Sequence, residues 1–232
     1  MKFFFKILFF ISLIIIIMDY YKKYIKYKEK YINLKNTKGG NINEYSYNNN
    51  LWIYNNFFSQ VDFNKIKKLC KDLKCKDDKR TNSRKTLCLK YSEHKKLYEL
   101  IYNNKKFINA IKKISKQKYK TKPSFPIEYR IYPTGSSGMR WHEDTSLFSP
   151  DCLEVVLTLS NTSDSKFEWK EYRNKKSVMP TGNTLAIVKP SSVVHKVTPV
   201  NKGTRSILKF IVEFEGSIPK NNYYKEINHC PF

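Results

Sequence analysis

The 232-residue sequence predicts an α+β protein: N-terminal helices support one sheet of an antiparallel jelly roll, and a membrane anchor precedes the whole. Three observations carry that expectation. Residues 3–18 are almost wholly apolar, residues 62–73 and 92–115 repeat apolar side chains at helical spacing, and from Pro123 onward only short β-branched segments appear.

The first segment, "FFFKILFFISLIIIIM", is interrupted only by Lys6 and Ser12. It is near the lower limit of what spans a bilayer core. Snorkelling of Lys6 and the flanking Tyr20-Tyr21 would extend its reach. Lys2 before the apolar run also suits a cleaved secretory signal, but "MDYYKKYIK" follows instead of a small-x-small cleavage site. Residues 1–21 are therefore read as an uncleaved single-pass anchor, with the endoplasmic reticulum or another endomembrane as the expected location. Lys22, Lys23, Lys26, Lys28 and Lys30 outnumber Lys2 and Lys6, which by the positive-inside rule favours a cytosolic body. Asn161-Thr162-Ser163 is a lone glycosylation sequon, so the side of the membrane stays open. Residues 22–50 read as a low-complexity linker, from alternating Lys and Tyr to "NTKGGNINEYSYNNN".

Residues 51–232 form the expected domain, helical over 51–122 and jelly-roll over 123–232. In "DFNKIKKLCKDL", Phe63, Ile66, Leu69, Cys70 and Leu73 share one helical face, with Asp62 as the expected N-cap. "SEHKKLYELIYNNKKFINAIKKIS" repeats the pattern through Leu97, Leu100, Ile101, Phe107, Ile108 and Ile111 behind Ser92, and places His94 on its polar side. Neither helix gathers polar residues on one face, so both are read as packing elements. The strands then follow as "IEYRIY" (127–132), "LEVVLTLS" (153–160), "TLAIVKP" (184–190), "VVHKVTPV" (193–200) and "RSILKFIVEF" (205–214). Gly, Pro, Asn and Ser separate them, and no helix lies between them, which indicates an antiparallel sandwich or barrel.

The formal net charge of +24 invites a polyanionic partner. Lysine, however, fills ordinary positions along the entire chain together with Asn, Ile and Tyr, so the charge reads first as composition. Cys70, Cys75, Cys88, Cys152 and Cys230 include no CxxC pair, which argues against structural zinc. A disulfide among Cys70, Cys75 and Cys88 and buried free thiols both remain open.

Within "RWHEDTS", His142 and Asp144 are two residues apart, so in extended backbone both face one side. His195 follows 53 residues later in another strand, and Arg205 ten residues after that. Two imidazoles and a carboxylate can occupy one face of an octahedral metal and leave three positions open. Together, "YRIYPTGSSGMRWHEDTS" and "MPTGNTLAIVKPSSVVHKVTPVNKGTRSILKFIVEF" resemble the iron- and 2-oxoglutarate-dependent dioxygenases, closest to the prolyl 4-hydroxylase-like branch, over residues 127–214.

The resemblance implies a double-stranded β-helix and a hydroxylase acting on a protein side chain, prolyl or lysyl. It implies Fe(II) on His142, Asp144 and His195, 2-oxoglutarate as co-substrate, O2, and ascorbate. Arg205 would grip the distal carboxylate through two parallel hydrogen bonds. Where the branch often has a tyrosine, three residues before the first histidine, this chain has Met139, and Tyr132 is the candidate replacement. "NTSDSKFEWK" stands where the branch carries Gly-Gly-Glu-Thr, and residues 19–122 show no counterpart of a collagen-type peptide-binding region. Trp141, Met139 and Ser137 are candidates for a substrate cleft, and Ser136 and Gly138 for shaping its mouth. Glu143 is expected to face away from the metal, and His229 to be unrelated to the site. Two other functions compete. One is oxidative nucleic-acid demethylation, whose enzymes carry a second arginine that "RSILKF" lacks; the other is an inactive jelly-roll binding module. Peptide or protein substrate and a membrane are the expected partners, and oligomeric state is left open.

Overall fold

The computed structural model describes residues 44–231 apart from positions 79 and 82. The expected anchor at 1–21 and most of the expected linker lie outside the described residues, among which no helix is long and apolar enough to cross a membrane. In chain order the elements are β1 (Glu44–Tyr47), β2 (Leu51–Tyr54), α1 (Gln60–Cys70), β3 (Lys76–Asp77), β4 (Lys85–Leu89), α2 (Tyr91–Tyr102) and α3 (Lys105–Ile114). Then come β5 (Ile127–Tyr132), β6 (Met139–His142), β7 (Phe148–Ser149), β8 (Leu153–Asn161), β9 (Phe167–Glu171) and β10 (Asn174–Val178). The chain ends with β11 (Leu185–Val188), β12 (His195–Val197), β13 (Arg205–Val212), β14 (Ile218–Pro219) and α4 (Asn221–Asn228).

Strands β1-β2-β11-β8-β13-β5-β4-β3 make the larger sheet, and β10-β9-β12-β6 the smaller. Every pairing is antiparallel. The central four of the larger sheet, β11-β8-β13-β5, and the four of the smaller sheet line a shared interior, which is the jelly roll the strand pattern predicts. Alternation along β13 separates its two faces. Leu208, Phe210 and Val212 pack with the helices, whereas Arg205, Ile207 and Lys209 face the interior. The same division on β8 sends Val155 and Leu157 outward, and Glu154, Val156 and Thr158 inward. Helix α3 seals the outer face with Phe107, Ala110 and Ile111, while its lysines stay in solvent. Tyr98 and Tyr102 of α2 are buried in the same core and donate hydroxyl hydrogen bonds to the carbonyls of Leu89 (2.6 Å) and Ile211 (2.7 Å).

Several expectations need correction. Ser59, not Asp62, caps α1: its hydroxyl accepts from the Asp62 amide at 3.1 Å, and Asp62 occupies the first turn. Ser92 caps nothing, because α2 already begins at Tyr91. The expected single helix over 92–115 is two, since the Asn104 side chain takes the amides of Lys106 and Phe107 and starts α3 afresh. "LWIY" belongs to the sheet rather than to a helical part: β2 lies between β1 and β11, all four residues are buried, and no alternation betrays it. Residues 44–47, placed in the linker, pair with β2 as an edge strand. The disulfide joins Cys88 to Cys230, leaving Cys70, Cys75 and Cys152 as free thiols. The amide nitrogen of Asn161 in the sequon donates to the carbonyls of Pro180 (2.9 Å) and Ser165 (3.4 Å), so it is engaged within the fold.

Candidate metal and oxo-acid site

The site begins with an irregularity between β6 and β12. His195 opposes His142 and Val197 opposes Met139, so four residues of β6 cover the span of three on β12. The extra residue turns Met139 and His142 both inward and leaves Arg140 and Trp141 outside. Gly138 makes the entry to β6 possible: at φ +71°, an added Cβ would stand 2.3 Å from the Val197 carbonyl oxygen.

The imidazoles of His142 and His195 lie with ring centroids 4.4 Å apart. Asp144 completes the group, with Oδ1 3.7 Å from His142 Nε2 and Oδ2 3.4 Å from His195 Nε2. The three ligand atoms lie within 4.8 Å of one another. Each Nδ1 is already committed, His142 to the Arg140 carbonyl at 2.7 Å and His195 to the Val193 carbonyl at 2.9 Å. A carbonyl only accepts, so Nδ1 carries the proton and Nε2 presents its lone pair inward. The buried Nε2 of His142 has no hydrogen-bond partner. Two imidazole nitrogens and one carboxylate, all aimed at a common point, fit a divalent transition metal with open positions.

Electrostatics keep this group ready. Burial works against the Asp144 charge, yet Lys209 and the two imidazoles hold its carboxyl well below the usual range. Asp144 raises the pKa of His142, while burial lowers that of His195. Lys209 sits 3.8 Å from Asp144 Oδ1 and 2.7 Å from Glu154 Oε2. Burial alone would lower the pKa of this ammonium, but Glu154 and Asp144 keep it above its ordinary value.

Two cavities meet at the group. The narrower, about 70 Å³, runs between the sheets and is lined by Tyr132, Val156, Ala186, Arg205 and Ile207 beyond His142 and His195. Arg205 is 4% exposed, and its Nε has no hydrogen-bond partner. Burial lowers its pKa, and no carboxylate among the described residues pairs with it. A buried guanidinium that lines a cavity and has no carboxylate partner is suited to receive an anion. Tyr132 stands directly across the ladder from it. Burial would raise the Tyr132 pKa, but Arg130, Arg84 and Arg205 bring it below its ordinary value. The larger cavity, about 580 Å³, reaches Asp144 from the other side and is walled by Arg80, Arg84, Glu128 and helix α4. Arg130, Met139, Asp144, Glu154 and Lys209 line both and form the neck between them.

The predicted ligands thus converge, and Arg205 and Tyr132 lie together beyond them. Met139 does face the site. Trp141 does not: the bulge puts it on the outer face, where Lys170, Lys175 and Lys196 stand 5.1–5.9 Å from its ring. Ser137 is exposed and lines neither cavity, while Ser136 is buried with its hydroxyl on the Pro133 carbonyl. Glu143 is exposed at the rim of the larger cavity and outside the ligand group. His94 lines neither cavity, whereas His229, expected to be unrelated, lines the larger one. Sequence reasoning missed Glu154, Arg130 and Lys209. The available signal was a charged residue at an inward position of β5, β8 and β13.

No family model and no curated protein matches the chain. Solved structures do. An oxidoreductase of the 2OG-Fe(II) oxygenase family from Burkholderia pseudomallei matches with TM-score 0.57 at 13% identity, covering 70% of this chain and 84% of that one. A Trichoplax adhaerens prolyl hydroxylase in complex with a hypoxia-inducible-factor peptide fragment matches with TM-score 0.57 at 13% identity, covering 72% and 84%. HygX from Streptomyces hygroscopicus, with nickel, 2-oxoglutarate and hygromycin B bound, matches with TM-score 0.57 at 7% identity, covering 72% and 84%. At such identities the likeness is one of architecture, and the chain has the jelly-roll fold of the 2OG-Fe(II) oxygenases.

Proposed function

We propose that the protein is an Fe(II)- and 2-oxoglutarate-dependent dioxygenase that hydroxylates a protein side chain, with prolyl as the leading residue type. One observation carries the reading: His142, Asp144 and His195 converge at the mouth of a cavity whose far side holds the unpaired, buried Arg205. His142 and His195 would hold the metal through Nε2 and Asp144 through a carboxylate oxygen. Arg205 would grip the distal carboxylate of 2-oxoglutarate beside Tyr132. When bound, the metal and the oxo acid together supply oxidation of a C–H bond by O2, with 2-oxoglutarate converted to succinate and CO2. The chain's own part is orientation. The Nδ1 hydrogen bonds fix both rings, the apolar walls Val156, Ala186 and Ile207 exclude water around the oxo acid, and the larger cavity leaves Asp144 approachable by substrate.

A peptide substrate is supported by the Trichoplax structure, which holds one, while the HygX structure, similar in TM-score, holds hygromycin B. Ascorbate as reductant and attachment to an endomembrane through residues 1–21 belong to the same proposal. The test is consumption of 2-oxoglutarate and release of succinate with Fe(II), measured against peptide, free amino-acid and nucleic-acid pools. Stimulation by the peptide pool, lost in His142→Ala, is the expected result. Stimulation by nucleic acid alone would replace the substrate class, and no turnover with any pool would leave a binding module.

A further inference from the structure

Lysines in this chain crowd the surface, but Lys209 does not belong to that population. It lies on the inward row of β13, four residues after Arg205 and on the same face, with Ile207 between them. Its ammonium is at the neck where both cavities meet, 2.7 Å from Glu154 and 3.8 Å from Asp144. Glu154 projects inward from β8, the neighbouring strand, and is 5% exposed. A buried carboxylate beside a metal ligand opposes an incoming dianion unless a fixed cation offsets it.

We propose that Lys209, held by Glu154, is a second anion-binding group of the site, facing the carboxylate at the metal end of the oxo acid while Arg205 holds the distal one. The inference rests on the proposed function. A dicarboxylate lying between these two groups meets one cation at each end. At the metal end, Lys209 offsets the buried carboxyl groups of Asp144 and Glu154, so that the oxo-acid carboxylate meets a fixed cation there. Without Lys209 that end is left with an uncompensated negative charge in a buried place. Removing it should therefore weaken the oxo acid while leaving the metal undiminished, because a positive neighbour repels the metal.

The experiment is calorimetric binding of Mn(II), a redox-inert stand-in, followed by 2-oxoglutarate or 2-oxovalerate, which lacks the distal carboxylate. In Lys209→Met, Mn(II) should bind at least as tightly as in wild type, and both oxo acids about tenfold or more weaker. Arg205→Met should weaken 2-oxoglutarate alone, and Lys209→Arg should retain both acids. A Lys209→Met protein that binds 2-oxoglutarate within about twofold of wild type overturns the proposal. So does one that loses Mn(II) as well, because it would show a merely structural role. If wild type binds Mn(II) but neither acid, the functional reading fails first and this inference falls with it.

Discussion

Asp144 and Glu143 are adjacent carboxylates with opposite fates, and the difference lies in what each faces. Asp144 sits between two imidazoles and an ammonium, whereas Glu143 is exposed at a rim. Asp144→Asn keeps the shape but removes the charge that Lys209 faces and that the proposed metal would need. Metal affinity should fall by about a hundredfold or more, and Glu143→Gln should leave it within about twofold, both read by metal titration. Gly138 acts one step further back. With φ +71° and backbone atoms 2.3–2.8 Å from an added Cβ, Gly138→Ala meets strain and overlap together. We expect a loss of at least ~2 kcal/mol in denaturant unfolding, and weaker metal binding because β6 must shift to relieve the contact.

At the scale of elements, the loop between β3 and β4, strand β5 and helix α4 share a largely buried charge network. Arg80 binds Asp78 (2.9 Å), Glu128 (2.7 Å) and Glu226 of α4 (3.0 Å); Arg84 binds Asp78 (2.7 Å), and Arg130 pairs with Glu128. Burial would raise the carboxyl of Glu128, but Arg130 and Arg80 bring it down from 4.5 to about 2, and Asp78 is lowered likewise. A depressed carboxyl contributes stability that is complete above its unfolded value and lost as pH falls toward its folded one. Unfolding free energy should therefore decline between about pH 4.5 and 2, and Glu128→Gln should flatten that decline while lowering stability at neutral pH. The Cys88–Cys230 bridge closes a sequence separation of 142 residues and ties the end of the chain to β4. The double Cys→Ser variant should lose about 2–4 kcal/mol, seen as a lower Tm. Neither feature was legible beforehand, because the contacts that complete them, Arg80 with Glu128 and Glu226 and Cys88 with Cys230, join residues far apart in sequence. Five of the nine strands from Ile127 to Val212, namely β5, β8, β11, β12 and β13, were legible, since each carries its β-branched pattern and bounding turns locally, whereas β6, β7, β9 and β10 were not expected. The bulge in β6 was not, because it exists only relative to β12. The convergence of His142, Asp144 and His195 on the cavity that Arg205 lines was legible for a different reason: the order and spacing of a candidate set survive in sequence when strand pairing does not.

Across the whole molecule, the site draws on both sheets of the jelly roll. His142 and His195 come from the smaller sheet, while Tyr132, Glu154, Arg205 and Lys209 come from the larger. A metal ion alone would fasten β6, β12 and the Asp144 segment, whereas an oxo acid that reaches Arg205 would bridge one sheet to the other. A ligand that binds only the folded state stabilises it by an amount set by its saturation, about 2.7 kcal/mol at a hundredfold excess over Kd. Metal alone should raise the Tm modestly, and metal with 2-oxoglutarate should raise it further. Arg205→Met should keep the first increment and lose most of the second, since only the bridge to the larger sheet is removed. A Tm series over metal, oxo acid and both, in wild type and Arg205→Met, reads this directly. Equal increments in the two proteins would place the oxo acid elsewhere than between the sheets.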